Sequence, residues 1–365
     1  MRAGFVHRTL TGWISEYVSR PLPGAWPQIP LDDETLADFG RHFDLCRESG
    51  YTEVVVWGPF VDRRWPLDLA ACVAGDRGER VLRLIEAAHA RGLQIHCGLG
   101  LYSWGFEAVI AAFPEVCRTN RRVMCPAVPA AWEWMVRVLD FVLQFPFDGL
   151  NLQSADQGRC ECAACVELTT VEYHARLNGR VADYVRRRWP GRCLIVDGWG
   201  CPFDEPEGLP ALAEMSRRVS YVIDPDSSAE RLGADFRRRL IGALQCPCGT
   251  LAGRSPWPPQ RWARHRWFAP ATLANAGYVR QLHRDGGRAA EQFATTLANP
   301  SGEVTLRFMG ALLAGVEADP EALLRRAVEA TWEPRTTAAL DGMVEVVRAA
   351  EEALFRRLAV PAAGL

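Results

Sequence analysis

The segment GERVLRLIEAAHARGLQIHCGLG, residues 78–100, contains the two patterns from which the fold follows. Its first part, Gly78 to Gly92, carries apolar residues at helical spacing, which predicts an amphipathic helix. Its second part, Leu93 to Gly100, is a short apolar run after a glycine and predicts a buried strand. A helix followed directly by a buried strand is the repeating unit of a parallel sheet.

The same alternation runs through most of the chain. Eight such units are the number that closes a (β/α)8 barrel, also called a TIM barrel. An open doubly wound sheet is the alternative, but the G-x-G-x-x-G turn is absent after the first predicted strand. The predicted strands cover residues 3–10, 52–58, 93–100, 148–154, 192–200, 219–224, 240–249 and 288–296.

The chain after the last predicted strand has helical patterns only. We therefore predict an α/β protein with two parts. A (β/α)8 barrel catalytic domain covers residues 1–300, and a C-terminal helical extension packed on the barrel covers residues 301–365.

The composition argues against several classes of protein. The chain has 365 residues, and its formal net charge of -2 argues against a nucleic-acid-binding protein, which needs a concentrated positive field. It contains no apolar run long enough for a membrane span and no signal-peptide pattern, so we expect no membrane partner and a cytoplasmic location. The oligomeric state stays open, a homodimer included. Thirteen tryptophans are either core residues or stacking platforms for sugar rings.

Barrel enzymes carry their catalytic residues at the carboxyl ends of the strands. Applied to the predicted strands, this rule gathers carboxylates and aromatic side chains at one rim. The catalytic candidates are Asp156, Asp197 and Asp224. The substrate-binding candidates are His7, Arg8, Trp57, Tyr102, Trp104, Gln153, Gln157, Trp199, Arg264, Trp267 and Glu291.

This set of residue types suits glycoside chemistry. One carboxyl group protonates the leaving oxygen, and another attacks the anomeric carbon or activates a water. Tryptophan faces stack on sugar rings, and Arg8 or Arg264 can bind a uronate or an acetamido group. A helix cap or a surface turn is the alternative for each aspartate, and a hydrogen-bonded core position is the alternative for His96.

A longer motif carries a family resemblance. The segment MCPAVPAAWEWMVRVLDFVLQFPFDGLNLQSADQGRCECAAC, residues 124–165, resembles part of bacterial glycosidase-like barrels related to the family 20 β-hexosaminidases and the α-glucuronidases. The resemblance implies a TIM barrel and a sugar substrate. Aligned on the hexosaminidase motif H-x-G-G-D-E, the tetrapeptide SADQ puts Asp156 on the acetamide-orienting aspartate and Gln157 on the general acid. Because an amide cannot donate a proton as an acid, there are three alternatives: the acid is another residue, the enzyme is not a hexosaminidase, or the site does not hydrolyse.

Three cysteines follow with the spacing C-x-C-x-x-C: Cys160, Cys162 and Cys165. Three thiolates this close can share one ion, and zinc takes four ligands. We expect a structural zinc that holds the loop after the fourth strand, while the chemistry needs no cofactor. A packed cluster of reduced thiols is the main alternative. A redox role lacks the thioredoxin-like context, and an iron–sulphur cluster agrees with the number of cysteines but with no common spacing. The candidates for the fourth ligand are Cys201, Cys246 and Cys248.

These observations predict a glycoside hydrolase-like enzyme that acts on a small-molecule or oligosaccharide substrate with a uronic acid or N-acetylhexosamine type sugar. Two other functions stay open. One is a non-catalytic carbohydrate-binding barrel, indicated by Gln157. The other is a metal-dependent lyase or hydrolase that uses an ion near His7, His96 or the cysteines.

Overall fold

Eight parallel strands form a closed barrel in which each strand pairs with the next and β8 pairs with β1. The computed structural model describes residues 4–19, 30–60, 64–198, 201, 203, 205–224, 226–251, 268, 270–294, 296–299 and 301–358, with the backbone alone at 224, 226–234, 250–251 and 355–358. The strands are β1 (His7–Trp13), β2 (Glu53–Trp57), β3 (Gln94–Gly100), β4 (Gly149–Gln153), β5 (Cys193–Asp197), β6 (Tyr221–Asp224), β7 (Cys248–Leu251) and β8 (Ala289–Phe293). The predicted (β/α)8 barrel is confirmed.

Helices between the strands form the outer layer, and their ends follow from the sequence. Asp32 caps α1 by accepting a hydrogen bond from the amide of Thr35, and Gly50 ends α1 in a left-handed conformation. Thr169 and Glu172 form a capping box at the start of α5. The described α-helices are α1 (Asp33–Ser49), α2 (Arg77–His89), α3 (Glu107–Ala112), α4 (Pro129–Val142), α5 (Thr170–Arg188), α6 (Leu209–Ser216), α7 (Asp226–Ala243), α8 (Leu273–Arg284), α9 (Gly302–Ala314), α10 (Pro320–Trp332) and α11 (Thr337–Leu358).

Alternate residues of each strand point into the barrel or out towards the helices, because side chains in a strand change face at every residue. In β5, Leu194 and Val196 belong to the core under the helices, while Ile195 packs inside the barrel with Val55 and Ile223. Asp197 lies two residues after Ile195 and therefore points towards the interior at the carboxyl end of the strand.

The last three helices lie on the side of β1 and β8. Helix α9 follows β8 and packs against α1, where the hydroxyl of Tyr51 donates to the carbonyl of Leu306 over 3.1 Å. Helix α9 thus closes the outer ring of the barrel, although it lies after residue 300. In α11, Glu351 accepts a hydrogen bond from the amide of Leu273 over 3.0 Å and so joins the extension to the start of α8. No described helix is both long and apolar enough to cross a membrane.

Two strands lie elsewhere than the sequence predicts. The first strand is expected at residues 3–10, but β1 runs from His7 to Trp13, because the alternation of small polar and apolar residues in HRTLTGW continues the pleat. The seventh strand is expected at residues 240–249, but most of that apolar run completes α7, and β7 begins at Cys248. His7 and Cys248 therefore lie at the amino end of the barrel.

Candidate active site

Three tryptophans meet at the carboxyl ends of β1, β2 and β3. We call Trp13, Trp57 and Trp104 the tryptophan cluster. Its ring centroids are 5.2 Å apart for Trp13 and Trp57, 4.8 Å for Trp13 and Trp104, and 5.6 Å for Trp57 and Trp104. Trp13 and Trp104 are half-buried and Trp57 is 5% exposed, so the cluster forms a wall at the mouth of the barrel.

Two glycines of β3 leave the space that this cluster needs. A Cβ at Gly98 would lie 2.1 Å from Cδ2 of Trp57, and a Cβ at Gly100 would lie 1.9 Å from the carbonyl oxygen of Trp104. Tyr102 follows with a positive φ of 61° and is completely buried. The side chain of Tyr102 therefore lies in the core and does not contribute to an open sugar-binding surface.

The three candidate aspartates follow neighbouring strands. Asp197 is the last residue of β5 and is 6% exposed. Asp224 is the last residue of β6, and its side chain lies outside the described residues. Asp156 lies in the loop after β4 and is exposed to solvent. All three therefore lie at the carboxyl end of the barrel.

Strand β4 adds polar side chains to the same end. Gln153 ends the strand and is 7% exposed. Asn151, two residues earlier on the same face, is completely buried, and neither atom of its amide group has a hydrogen-bond partner among the described residues. Gln157 lies further out, where its amide nitrogen donates to Glu107 over 3.2 Å.

Glu291 lies in the middle of β8 and is 3% exposed. Burial raises the pKa of this carboxyl to about 7, and the charge of Glu53 acts in the same direction. Glu291 lies inside the barrel below the mouth.

A polar cluster fills the opposite, amino end of the barrel. The carboxylate of Glu53 lies 2.6 Å from Nδ1 of His7 and 3.2 Å from Nε2 of His96, and it accepts a hydrogen bond of 2.6 Å from the hydroxyl of Tyr221. Burial alone would raise the pKa of Glu53, but the two histidines hold it well below its usual value. The expectation that His7 contributes to the rim is therefore corrected.

Arg8 is corrected in the same way. Its guanidinium donates to the carbonyl oxygens of Gly50 and Phe5 at the amino end of β1. Arg8 therefore fastens the start of β1 to the end of α1 instead of facing a sugar. The strand predicted over residues 3–10 ends earlier than β1 does, and it therefore placed His7 and Arg8 at the wrong end of the barrel. Of the other rim candidates, Trp199, Arg264 and Trp267 lie outside the described residues.

Four cysteines lie beside the loop that follows β4. We call Cys125, Cys160, Cys162 and Cys165 the four-cysteine cluster. Their sulphur atoms all lie within 4.8 Å of one another, close enough to hold one metal ion. The fourth member is Cys125, which precedes α4, and not Cys201, Cys246 or Cys248. Cys246 and Cys248 lie at the amino end of β7, and the sulphur of Cys201 lies against the carbonyl of Val171.

Comparison with known proteins shows the same fold in glycoside hydrolases. The chain superimposes on a Thermobaculum terrenum O-GlcNAc hydrolase mutant with a TM-score of 0.59 at 10% identity, over 90% of this chain and 63% of that one. A β-N-acetylhexosaminidase gives 0.54 at 12% identity, over 95% of this chain and 76% of that one. The protein CpGH84B gives 0.51 at 7% identity, over 89% and 51%. No protein-family model and no curated protein sequence matches the chain.

These similarities confirm the expected resemblance to glycoside hydrolase-like TIM barrels at the level of the fold. The chain spans about half to two thirds of the length of the O-GlcNAc hydrolase and of CpGH84B. Because the matches cover 89 to 95% of this chain, they include most of the barrel.

Sequence reasoning missed three residues of this region. Trp13 was missed because β1 ends later than predicted, although the alternation from His7 to Trp13 carried the signal. Glu16 is buried, and its carboxylate accepts a hydrogen bond of 2.7 Å from the backbone amide of Trp13. Cys125 stands in the Cys-Pro pair that begins the family-like segment, so its presence in the quoted motif was the available signal.

Proposed function

We propose that this protein is a glycoside hydrolase-like enzyme that cleaves a glycosidic bond by carboxylate acid/base chemistry at the mouth of its barrel. The observation that carries the proposal is the position of the tryptophan cluster at the same end of the barrel as the buried side chain of Asp197. Aromatic faces stack on sugar rings, and carboxyl groups supply the acid and the base or nucleophile. The fold shared with an O-GlcNAc hydrolase and a β-N-acetylhexosaminidase supports the same chemistry.

The proposed catalytic carboxylates are Asp156, Asp197 and Asp224. They follow β4, β5 and β6, which are neighbours in the barrel. Neighbouring strands lie about 4.8 Å apart, so the ends of β4 and β6 are roughly 10 Å apart. The two carboxyl groups of a glycosidase are separated by about 5 to 9.5 Å. Strand spacing alone therefore brings a pair of these aspartates into the range that glycoside hydrolysis uses.

The proposed substrate is a small-molecule or oligosaccharide glycoside of N-acetylhexosamine type. A uronic acid would need a cation at the barrel mouth to bind its carboxylate. Of the two arginines considered for that role, Arg8 lies at the opposite end of the barrel, and Arg264 lies outside the described residues. The amide groups of Gln153 and Gln157 instead offer neutral donors and acceptors, which suit hydroxyl and acetamido groups.

No cofactor takes part in this chemistry. The ion that the four-cysteine cluster can hold is, in this proposal, a structural zinc. Four-thiolate zinc sites are closed, whereas a catalytic zinc keeps one position open for water or substrate.

The test is hydrolysis of a panel of aryl glycosides that includes N-acetyl-β-hexosaminides and α- and β-glucuronides. The variants Asp156→Asn, Asp197→Asn and Asp224→Asn are each expected to lower turnover by about 10²- to 10⁴-fold, because each loses a group that transfers a proton or attacks carbon. The control is Glu161→Gln, an exposed residue in the same loop as Asp156, which should keep wild-type rates. Wild-type turnover in all three aspartate variants would refute the proposal.

A sugar-binding barrel without hydrolysis is the second candidate. The observation that favours it is Gln157, which stands where the resemblance places a general acid and donates its amide proton to Glu107. This function predicts micromolar to millimolar binding of N-acetylglucosamine in titration calorimetry, with no turnover. Hydrolysis of any glycoside by the pure protein, lost in the Asp197→Asn variant, would decide against it.

A further inference from the structure

The four-cysteine cluster joins two segments of chain that are distant in the sequence. Three of its members lie in the loop after β4, and Cys125 lies four residues before α4. The sulphur of Cys125 lies 3.7 Å from that of Cys162 and 4.0 Å from that of Cys165. With zinc–sulphur bonds of about 2.3 Å, the ligands of a tetrahedral site lie about 3.8 Å apart. The cysteines are thus spaced as the ligands of one ion would be.

Hydrogen bonds connect the same two segments. We call residues 154–168 the cysteine loop, which contains neither helix nor strand. The side-chain amide of Asn120 donates to the carbonyls of Gln157 and Arg159 over 3.1 and 3.3 Å, and the hydroxyl of Thr119 accepts from the amide of Glu161 over 2.8 Å. Residues 119–125 therefore support the cysteine loop along much of its length.

The position of Arg159 suits a negatively charged centre. Its guanidinium donates to the carbonyls of Leu168 and Val166, and one of its nitrogens lies 3.5 Å from the carbonyl of Cys165. When four thiols bind Zn²⁺ they release four protons, and the resulting centre carries two negative charges. The positive charge of Arg159, which belongs to the same loop, offsets part of that charge.

Asp156 and Gln157 lie at the beginning of the cysteine loop, only three to four residues after the end of β4. Gly158 turns the chain directly behind them with a φ of +80°. The segment between Gln153 and Cys160 is held at its start by strand β4 and at its end by the contacts of Cys160. An ion at the cysteines would thus act on the position of both side chains.

We propose that one Zn²⁺, bound by the thiolates of Cys125, Cys160, Cys162 and Cys165, clamps the cysteine loop to the segment before α4 and thereby holds Asp156 and Gln157 at the barrel mouth. The effect on hydrolysis rests on the proposed function, whereas the ion and the clamp do not. Zinc is favoured because it accepts four sulphur ligands in a tetrahedron without redox change.

The first experiment measures the metal content of the full-length protein, purified under reducing conditions, by elemental analysis. About one zinc per chain is expected in the wild type and in Cys201→Ser, a buried cysteine near the rim that lies outside the cluster. Cys125→Ser and Cys162→Ser should lose it. Zinc lost in Cys201→Ser but kept in Cys125→Ser would overturn the ligand assignment. A wild type that contains no zinc and takes up neither Zn²⁺ nor Co²⁺ would overturn the site.

The second experiment uses the wild type alone, so it holds even where a cysteine variant fails to fold. Hydrogen exchange is compared before and after removal of the ion with a chelator. Faster exchange is expected in residues 154–168, with unchanged exchange in β2, which is not a neighbour of β4 in the barrel. Equal exchange in the cysteine loop would refute the clamp. This measurement needs no substrate, so it tests the clamp separately from hydrolysis. If the protein binds zinc and shows the change in exchange but hydrolyses no glycoside, only the proposed function is refuted. If it hydrolyses a glycoside but binds no metal, only the clamp is refuted.

Discussion

The indole of Trp57 occupies the space that a side chain on Gly98 would fill: a Cβ there would lie 2.1 Å from Cδ2 of the ring. The two residues are register partners in β2 and β3. Because Gly98 has no side chain, Trp57 lies across β3 and reaches Trp104 at a centroid distance of 5.6 Å. The absence of a side chain at Gly98 thus allows the tryptophan cluster, which lines the candidate sugar site, to form.

The substitution Gly98→Ala should displace Trp57. Insertion of a methyl group into a packed site typically costs about 1 to 3 kcal/mol of unfolding free energy. We expect that loss in chemical denaturation, together with a changed near-UV circular dichroism spectrum from the tryptophans. Gly191→Ala is the matched control, because a Cβ at Gly191 meets no atom within 4 Å. Equal stability of the two variants would show that the ring moves without cost.

Trp104→Ala should weaken sugar binding more than it weakens the fold. Trp104 is half-buried at the barrel mouth, and the loss of one stacking ring is worth about 1 kcal/mol, or roughly a fivefold rise in Kd. Titration with N-acetylglucosamine measures it. The control is Trp134→Ala, a half-buried tryptophan of α4 whose neighbours are Phe113 and Arg137. A similar change in Kd for both variants would argue against the tryptophan cluster as the sugar site.

Glu53→Gln should lower the stability of the barrel in a pH-dependent way. The substitution weakens the contacts of one buried carboxylate with His7, His96 and Tyr221, and breaking a buried ionic network costs about 3 to 5 kcal/mol at neutral pH. The pKa of Glu53 is lower in the folded protein than in the unfolded chain, where it is about 4.3. The stabilisation is therefore complete above that pH and is lost as the pH falls below it.

Urea denaturation of the wild type and the variant at pH 7 and at pH 3 measures this effect. The difference in unfolding free energy should shrink at the lower pH. Glu207→Gln, at an exposed position, is the control and should show no difference at either pH. A loss of the same size at both pH values would mean that Glu53 acts by packing and not by charge.

The effect of Glu291→Gln on stability should depend on pH in the opposite direction to that of Glu53→Gln. Burial raises the pKa of Glu291 to about 7, so the folded state holds this proton more tightly than the unfolded chain does. Ionisation therefore costs stability as the pH rises from about 4.3 to 7, and the cost stays constant above that range. The Tm of the variant should match the wild type at pH 4 and exceed it at pH 8, measured by calorimetry. A lower Tm than the wild type at pH 8 would contradict the burial of an ionisable carboxyl.

Much of the barrel could be predicted because its signals are local. The helix from Arg77 to His89 and the strands β2, β3 and β4 follow from hydrophobic period and turn residues within short windows. The ends of β1 and β7 could not be predicted, since an apolar run such as residues 240–249 fits the last turns of a helix as well as a buried strand. The positions of these two strands decide whether His7 and Cys246 lie at the mouth of the barrel or at its amino end.

The sequence by itself determined the parallel α/β barrel, the three cysteines with C-x-C-x-x-C spacing and the arrival of Asp197 at a strand end, because each depends on neighbours within a few residues. Only the tertiary structure brought Cys125 to the other three cysteines, Gly98 beneath Trp57, and Glu53 to His7 and Tyr221. These contacts join residues up to 168 positions apart in the chain. Their formation depends on closure of the barrel, which no local pattern encodes.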